Sequence, residues 1–113
     1  DVLQFDATHS GGILACVELA RKAELMKLDS ALHVWGSAVA IAANAQVALA
    51  VPSIDILEIP MVSLELTEEM WIEPPIIKNG VWHSSEAPGL GVALNDLLMH
   101  KYKFQPNSGY RLL

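Results

Sequence analysis

The chain has 113 residues, 52% of them hydrophobic and 18% charged, with a mean hydropathy of +0.34 and a formal net charge of −6. By length this is one domain, and its apolar content predicts covered strands and buried helices rather than a small antiparallel domain wet on one face. Seven scattered Lys and Arg argue against a nucleic-acid-binding surface, and the lone Cys16 leaves no disulfide framework and predicts a reducing, cytoplasmic setting.

The segment "DVLQFDA" (1–7) reads as a strand with aliphatic and aromatic residues on both faces. "THSGG" follows as a turn, with Ser10 a candidate helix cap. A helix is predicted over 12–27, with Ile13, Leu14, Val17, Ala20 and Leu25 on its buried face. Cys16 falls among them and reads as an inert core thiol. "LDSALHV" (28–34) is a short second strand. The Ala-rich run 36–50 is apolar almost all round, hence a buried helix, ended by Pro52. "IDILEIP" (54–60) is a third strand. The uncharged stretch from Val34 to Ile54 is long enough to span a bilayer, but Ser37, Asn44, Gln46 and Pro52 make a buried helix and the next strand the better reading. No basic leader precedes a short apolar core, so no signal peptide is expected.

Strand, helix, strand, helix, strand predicts parallel pairing with right-handed crossovers over residues 1–60. The texture then changes. Glu65, Glu68 and Glu69 look like a solvated charge run, and Asn79-Gly80 between apolar residues marks a hairpin within 76–82. "APGLGV" (87–92) is a bent loop, 95–103 a short helix capped by Asn95, and 104–113 an irregular tail. Trp71 and Trp82 are expected to pack this covering segment down, with His83 and His100 on the surface. Three parallel strands with unpaired outer members leave edges and apolar faces open. Either the chain self-associates through those edges or it belongs to a longer polypeptide.

Asp6, His33 and Glu58 are the polar exceptions near the C-terminal strand ends, 27 and 25 residues apart, one strand–helix unit each. In parallel α/β folds these ends carry the chemistry, because the βα loops open on that side. Adjacent strands lie ~4.8 Å apart, so a carboxylate and an imidazole on neighbouring ends can touch. Asp6 bound to one ring nitrogen of His33 would fix the tautomer and leave the other nitrogen as a general base. Glu58 could hold a substrate oxygen or donate a proton. Taken singly, each has a plainer reading: a turn cap for Asp6, a structural group for His33, an exposed strand-end acid for Glu58. Their alignment on one rim favours the catalytic one.

The stretches "QFDATHSGGI", "ALHVWGSAVAIAAN", "DILEIP" and "NGVWHSSEAPGLGVALND" together resemble the C-terminal part of the enolase superfamily barrel, in its mandelate racemase and muconate-lactonizing branch. The resemblance implies an α/β fold, the C-terminal part of a (β/α)8 TIM-like barrel, with three parallel strands (six to eight) in residues 1–60. Residues 61–113 would be the last helix, hairpin and covering segment. It also implies that His33 abstracts the proton α to a carboxylate, that Asp6 orients it, and that Glu58 stabilises or protonates the enediolate oxygen. His9 and Trp35 lie at loop positions facing the barrel mouth and could contact substrate. The "HVWGS" run is closest to members acting on sugar acids by dehydration, cycloisomerisation or epimerisation.

The family's Mg²⁺ is held by carboxylates on strands three to five, which these residues lack, as they lack the N-terminal capping domain. No metal ligand is therefore assigned here, and Mg²⁺ is expected to bind upstream. The chain reads as part of an Mg²⁺-dependent lyase or isomerase that is inactive by itself, taking a small carboxylate substrate, with homo-oligomers expected and neither nucleic acid nor membrane as partner. The rival reading is a non-catalytic half-barrel that self-associates through its strand edges.

Overall fold

A computed structural model of the chain describes residues 1–62 and 65–106. The elements are β1 (Val2–Phe5), α1 (Ile13–Leu25), β2 (Asp29–Leu32), α2 (Ala38–Ala50), β3 (Ile54–Leu57), α3 (Glu65–Glu69), β4 (Ile76–Lys78), β5 (Val81–His83) and α4 (Asp96–Lys101). β1, β2 and β3 form one parallel sheet in that order, as the alternation of strands and helices predicts. The strands are shorter than the apolar runs suggest. Each stops where a polar residue follows, yet the ladder continues one step: His33 N–H donates to the Phe5 carbonyl (3.0 Å) and Glu58 N–H to that of Leu32 (3.2 Å).

Both long helices pack on one face of the sheet, over Phe5, Leu32, Val34 and Ile54. α1 turns a different stripe inward from the one its leucines suggest. Cys16, Ala20 and Ala23 are its buried residues, at i, i+4 and i+7, while Leu14 is 80% and Leu25 86% exposed. Small side chains let the backbone approach the sheet, and Leu14, two residues from Cys16, points nearly the opposite way. Ser10 is not the cap of this helix. The N-cap is Gly12, and the Ser10 hydroxyl instead accepts a long 3.5 Å bond from the Asp6 N–H. α2 is buried on most of its circumference and ends at Ala50, before Pro52. The uncharged run Val34–Ile54 is thus a loop, α2 and the start of β3. No helix among the described residues is long and apolar enough to cross a membrane.

The other sheet face is open: Val2 is 60% and Ile56 59% exposed. The pleat places Gln4 on the same side as Val2.

Residues 65–106 lie against α2. The Asn79-Gly80 turn joins β4 to β5 with both residues at positive φ (52° and 75°), as a type I′ turn requires. Trp71 and Trp82 pack on the main core with ring centres 6.1 Å apart. Met70 and Leu98 bury against Ala38, and the Asn95 side chain caps α4 by accepting from Leu98 N–H at 2.9 Å. The acidic run is exposed, as expected, and is also tied to the segment that follows it. It forms α3, and Glu69 meets Lys101 Nζ at 2.5 Å while the Tyr102 hydroxyl shares its one hydrogen between Glu65 and Glu69, each 3.2 Å away. Of the predicted tail, 107–113 fall outside the described residues.

Candidate active site at the strand ends

Phe5, Leu32 and Leu57 are register partners, and Asp6, His33 and Glu58 are the next residue on each strand. They therefore form a row across the rim of the sheet. His33 Nδ1 lies 3.0 Å from Asp6 Oδ2. The His33 side chain is half exposed and that of Asp6 buried, so the pair has one solvated and one enclosed member.

The two oxygens of Asp6 differ. Oδ1 accepts three donors: Thr8 N–H (2.8 Å), Thr8 Oγ1 (2.7 Å) and Asn44 Nδ2 (2.9 Å). Oδ2 faces His33, with His9 Nδ1 farther off at 3.6 Å. Burial pushes the Asp6 carboxyl up, but the bonds from Asn44, Thr8 and His33 outweigh it and hold the group well below the usual carboxylate range. An ionised carboxylate only accepts. The 3.0 Å bond therefore uses an Nδ1–H donor, and in the neutral ring the lone pair sits on Nε2.

Glu58 is exposed and meets other partners. Its Oε1 accepts from Gln4 Nε2 at 2.8 Å and its Oε2 from Val34 N–H at 3.4 Å. Gln4 reaches it from β1 across β2, where Ala31 is the register partner of both Gln4 and Ile56. A small residue at that point leaves the way clear.

His9 is 76% exposed at its side chain and lies 2.8 Å from Thr8 Oγ1. Since the one Thr8 hydroxyl hydrogen goes to Asp6, that oxygen accepts from His9 Nδ1–H. His9, Gln4, Asp6 and His33 border an open recess of about 410 Å³. His33, Trp35, Glu58 and Met61 border another of about 430 Å³. His33 is the shared wall. A separate space of about 290 Å³ under the β4–β5 hairpin is mainly apolar and contains no histidine.

Three partners of the row escape a reading of the sequence: Gln4, Thr8 and Asn44. Asn44 has a visible signal, as one of only two polar residues in α2. Cys16 is fully buried, and burial together with the Asp6 charge pushes its thiol up. His83 and His100 are exposed. Among the described residues no group of three His, Cys, Asp or Glu side chains could hold a metal ion.

Known proteins share this arrangement of strands and helices. The family model described as enolase C-terminal domain-like matches residues 1–98. A D-xylonate dehydratase from Haloferax volcanii is 32% identical over 95 residues, 84% of this chain and 23% of that protein. The crystal structure of a mandelate racemase/muconate lactonizing enzyme from Sulfitobacter sp. superposes with a TM-score of 0.79 at 24% identity, covering 94% of this chain and 26% of that one. An enolase protein from Sargasso Sea environmental sequencing gives a TM-score of 0.77 at 26% identity, over 91% and 27% of the two chains. The chain thus spans about a quarter of the length of the proteins it matches.

Proposed function

The chain belongs to the enolase C-terminal domain-like family, and from that premise we propose that it carries the general base of a longer enzyme that removes the proton α to the carboxylate of a sugar acid. The observation that carries this reading is the 3.0 Å contact between His33 Nδ1 and an Asp6 whose other oxygen is held by three donors. With Nδ1–H committed to Asp6, His33 Nε2 takes the α-proton, and the adjacent carboxylate supports the ring while it carries the charge. Dehydration is the favoured outcome, because a relative at 32% identity is a D-xylonate dehydratase. The α-carbon releases its proton to His33 and becomes part of an enediolate. The β-hydroxyl then leaves with that proton as water, and the enol left behind tautomerises to a 2-keto acid.

Glu58, held as an acceptor by Gln4 and the Val34 N–H, takes a hydroxyl hydrogen of the substrate, or in its protonated form donates to an enediolate oxygen. His9 and Trp35 on the two recesses contact the remainder of the sugar acid. The described residues do not supply a metal site, and no step here runs through one; the Mg²⁺ that belongs to this reading is bound by carboxylates outside this chain. The remaining strands of the longer polypeptide cover the open sheet face.

The test is exchange of the α-proton of a sugar-acid substrate in ²H₂O with the full-length polypeptide and Mg²⁺. A positioned base contributes roughly 10²–10⁴-fold, so His33→Asn should lose at least a hundredfold in exchange with Mg²⁺ affinity near normal. Exchange at the wild-type rate removes His33 from the role of base.

A further inference from the structure

We propose that Asn44, one helix away from the rim, is a positioning residue that locks the Asp6 carboxylate and so dictates which nitrogen of His33 carries the lone pair. The inference rests on the reading of His33 and Asp6 as a proton-transfer pair.

Asn44 is fully buried in the middle of α2, and both ends of its amide are bonded. Oδ1 accepts from the Ala7 N–H at 2.9 Å. Nδ2 donates to Asp6 Oδ1 at 2.9 Å and to the Ala40 carbonyl, one turn back on its own helix, at 3.0 Å. One side chain thus pins both the carboxylate and the backbone just past it to a rigid helix. The bond to Ala40 fixes the amide's orientation, because its nitrogen must face the carbonyl and its oxygen the N–H of Ala7. The nitrogen is then the end that meets Asp6.

Asp6 Oδ1 receives three donors, two from Thr8 and one from Asn44. Thr8 is two residues from Asp6 and moves with the same loop. Asn44 is the donor that ties the carboxylate to a separate element. Without it the carboxylate can rotate about its Cβ–Cγ bond, since nothing outside its own loop except His33 would hold it. His33, half exposed, would then be free to take either neutral tautomer. A buried amide inside an alanine-rich helix is otherwise a poor choice, because a polar group without partners there is costly.

The experiment uses the full-length polypeptide labelled with [¹⁵N]histidine, with long-range ¹⁵N–¹H spectra recorded where His33 is neutral. Wild type should show the Nδ1–H tautomer. Asn44→Ala, which suits the helix, should give a mixture of tautomers, and kcat for the sugar acid should fall at least tenfold with KM within twofold. Asn44→Asp, which replaces the donor by a second acceptor, should do more. A folded Asn44→Ala protein with the wild-type tautomer and kcat within twofold overturns the proposal. Should neither variant fold, the unsubstituted protein still decides, because a His33 with hydrogen on Nε2 contradicts the geometry. His33→Asn in the same series separates the two ideas: if it retains α-proton exchange, the catalytic reading fails, while the ¹⁵N pattern of His33 in the Asn44 variants still reports whether Asn44 sets the ring.

Discussion

Residues 1–60 and 65–106 bury their apolar side chains in different ways. The first stretch makes its own core, with two helices on one sheet face. The second contributes a few anchors, chiefly Met70, Leu98, Trp71 and Trp82, while Leu97 and Phe104 stay 82% and 80% exposed. Every side chain in the rim row lies in the first stretch. The difference separates the stretch that carries the rim row from one anchored behind it by a few side chains. It also shows how much apolar surface, including the open face with Val2 and Ile56, has no partner among the described residues.

The strongest test of that comparison is complete loss. The 113 residues alone should give no Mg²⁺-dependent turnover or α-proton exchange with sugar acids; measurable turnover would mean the rim works without other segments. Next comes Asp6→Asn in the full-length polypeptide. The amide loses the charge and, with its oxygen kept on the three donors that meet Oδ1, sets an NH₂ group against His33 Nδ1–H where Oδ2 accepted, at roughly 3 kcal/mol in stability. Its pH dependence has a defined sign. The folded-state pKa of Asp6 lies below its ordinary value of 3.8, so its stabilising contribution is complete above that pH and is lost as the pH falls below it. Urea midpoints measured between pH 2 and 7 should therefore fall more steeply at the acid end for wild type than for Asp6→Asn. Parallel curves would show that the carboxylate is no better held in the folded state than in the unfolded one.

The same contrast explains what was legible in the sequence. Alternating strands and helices announce themselves by period, so β1 to β3, α1 and α2 could be read directly, as could the Asn79-Gly80 turn and the Asn95 cap, whose chemistry is local. The approach of Asp6 and His33 was accessible too, because equal spacing in a parallel sheet puts successive strand ends side by side. The Leu14 and Leu25 expectation failed because an alanine- and cysteine-lined stripe was better suited to close packing on the sheet. α3 is not legible in the sequence because its five residues have no apolar stripe and are held by Lys101 and Tyr102, more than thirty residues away. Asn44 and Gln4 are not legible as site partners for the same reason: their bonds to Asp6 and Glu58 cross 38 and 54 residues.

Smaller effects should separate the halves. Trp82 packs on Trp71 and on the core, and its buried Nε1 has no hydrogen-bond partner among the described residues. Trp82→Ala therefore removes packing alone. It should cost about 3 kcal/mol, the low end for such a truncation because the ring is only partly buried, while the rate constant for α-proton exchange in the folded variant stays within twofold of wild type.

The mildest change is Asn95→Ala. The Asn95 carboxamide oxygen accepts from Leu98 N–H, and α4 has only six residues, so this cap is a large share of what starts the helix. Its loss should cost about 1 kcal/mol, read as a small drop in thermal midpoint. Leu98 on this helix buries against Met70 and Ala38, and Ala38 opens the helix that carries Asn44. That gives a physical route from the cap to the rim, one that passes through packing along α2. If the covering segment only stabilises, the ¹⁵N pattern of His33 in Asn95→Ala should match wild type even as the midpoint drops. A changed tautomer would mean that α2 transmits strain from its first turn to the Asp6 carboxylate, and that the two regions set the chemistry together.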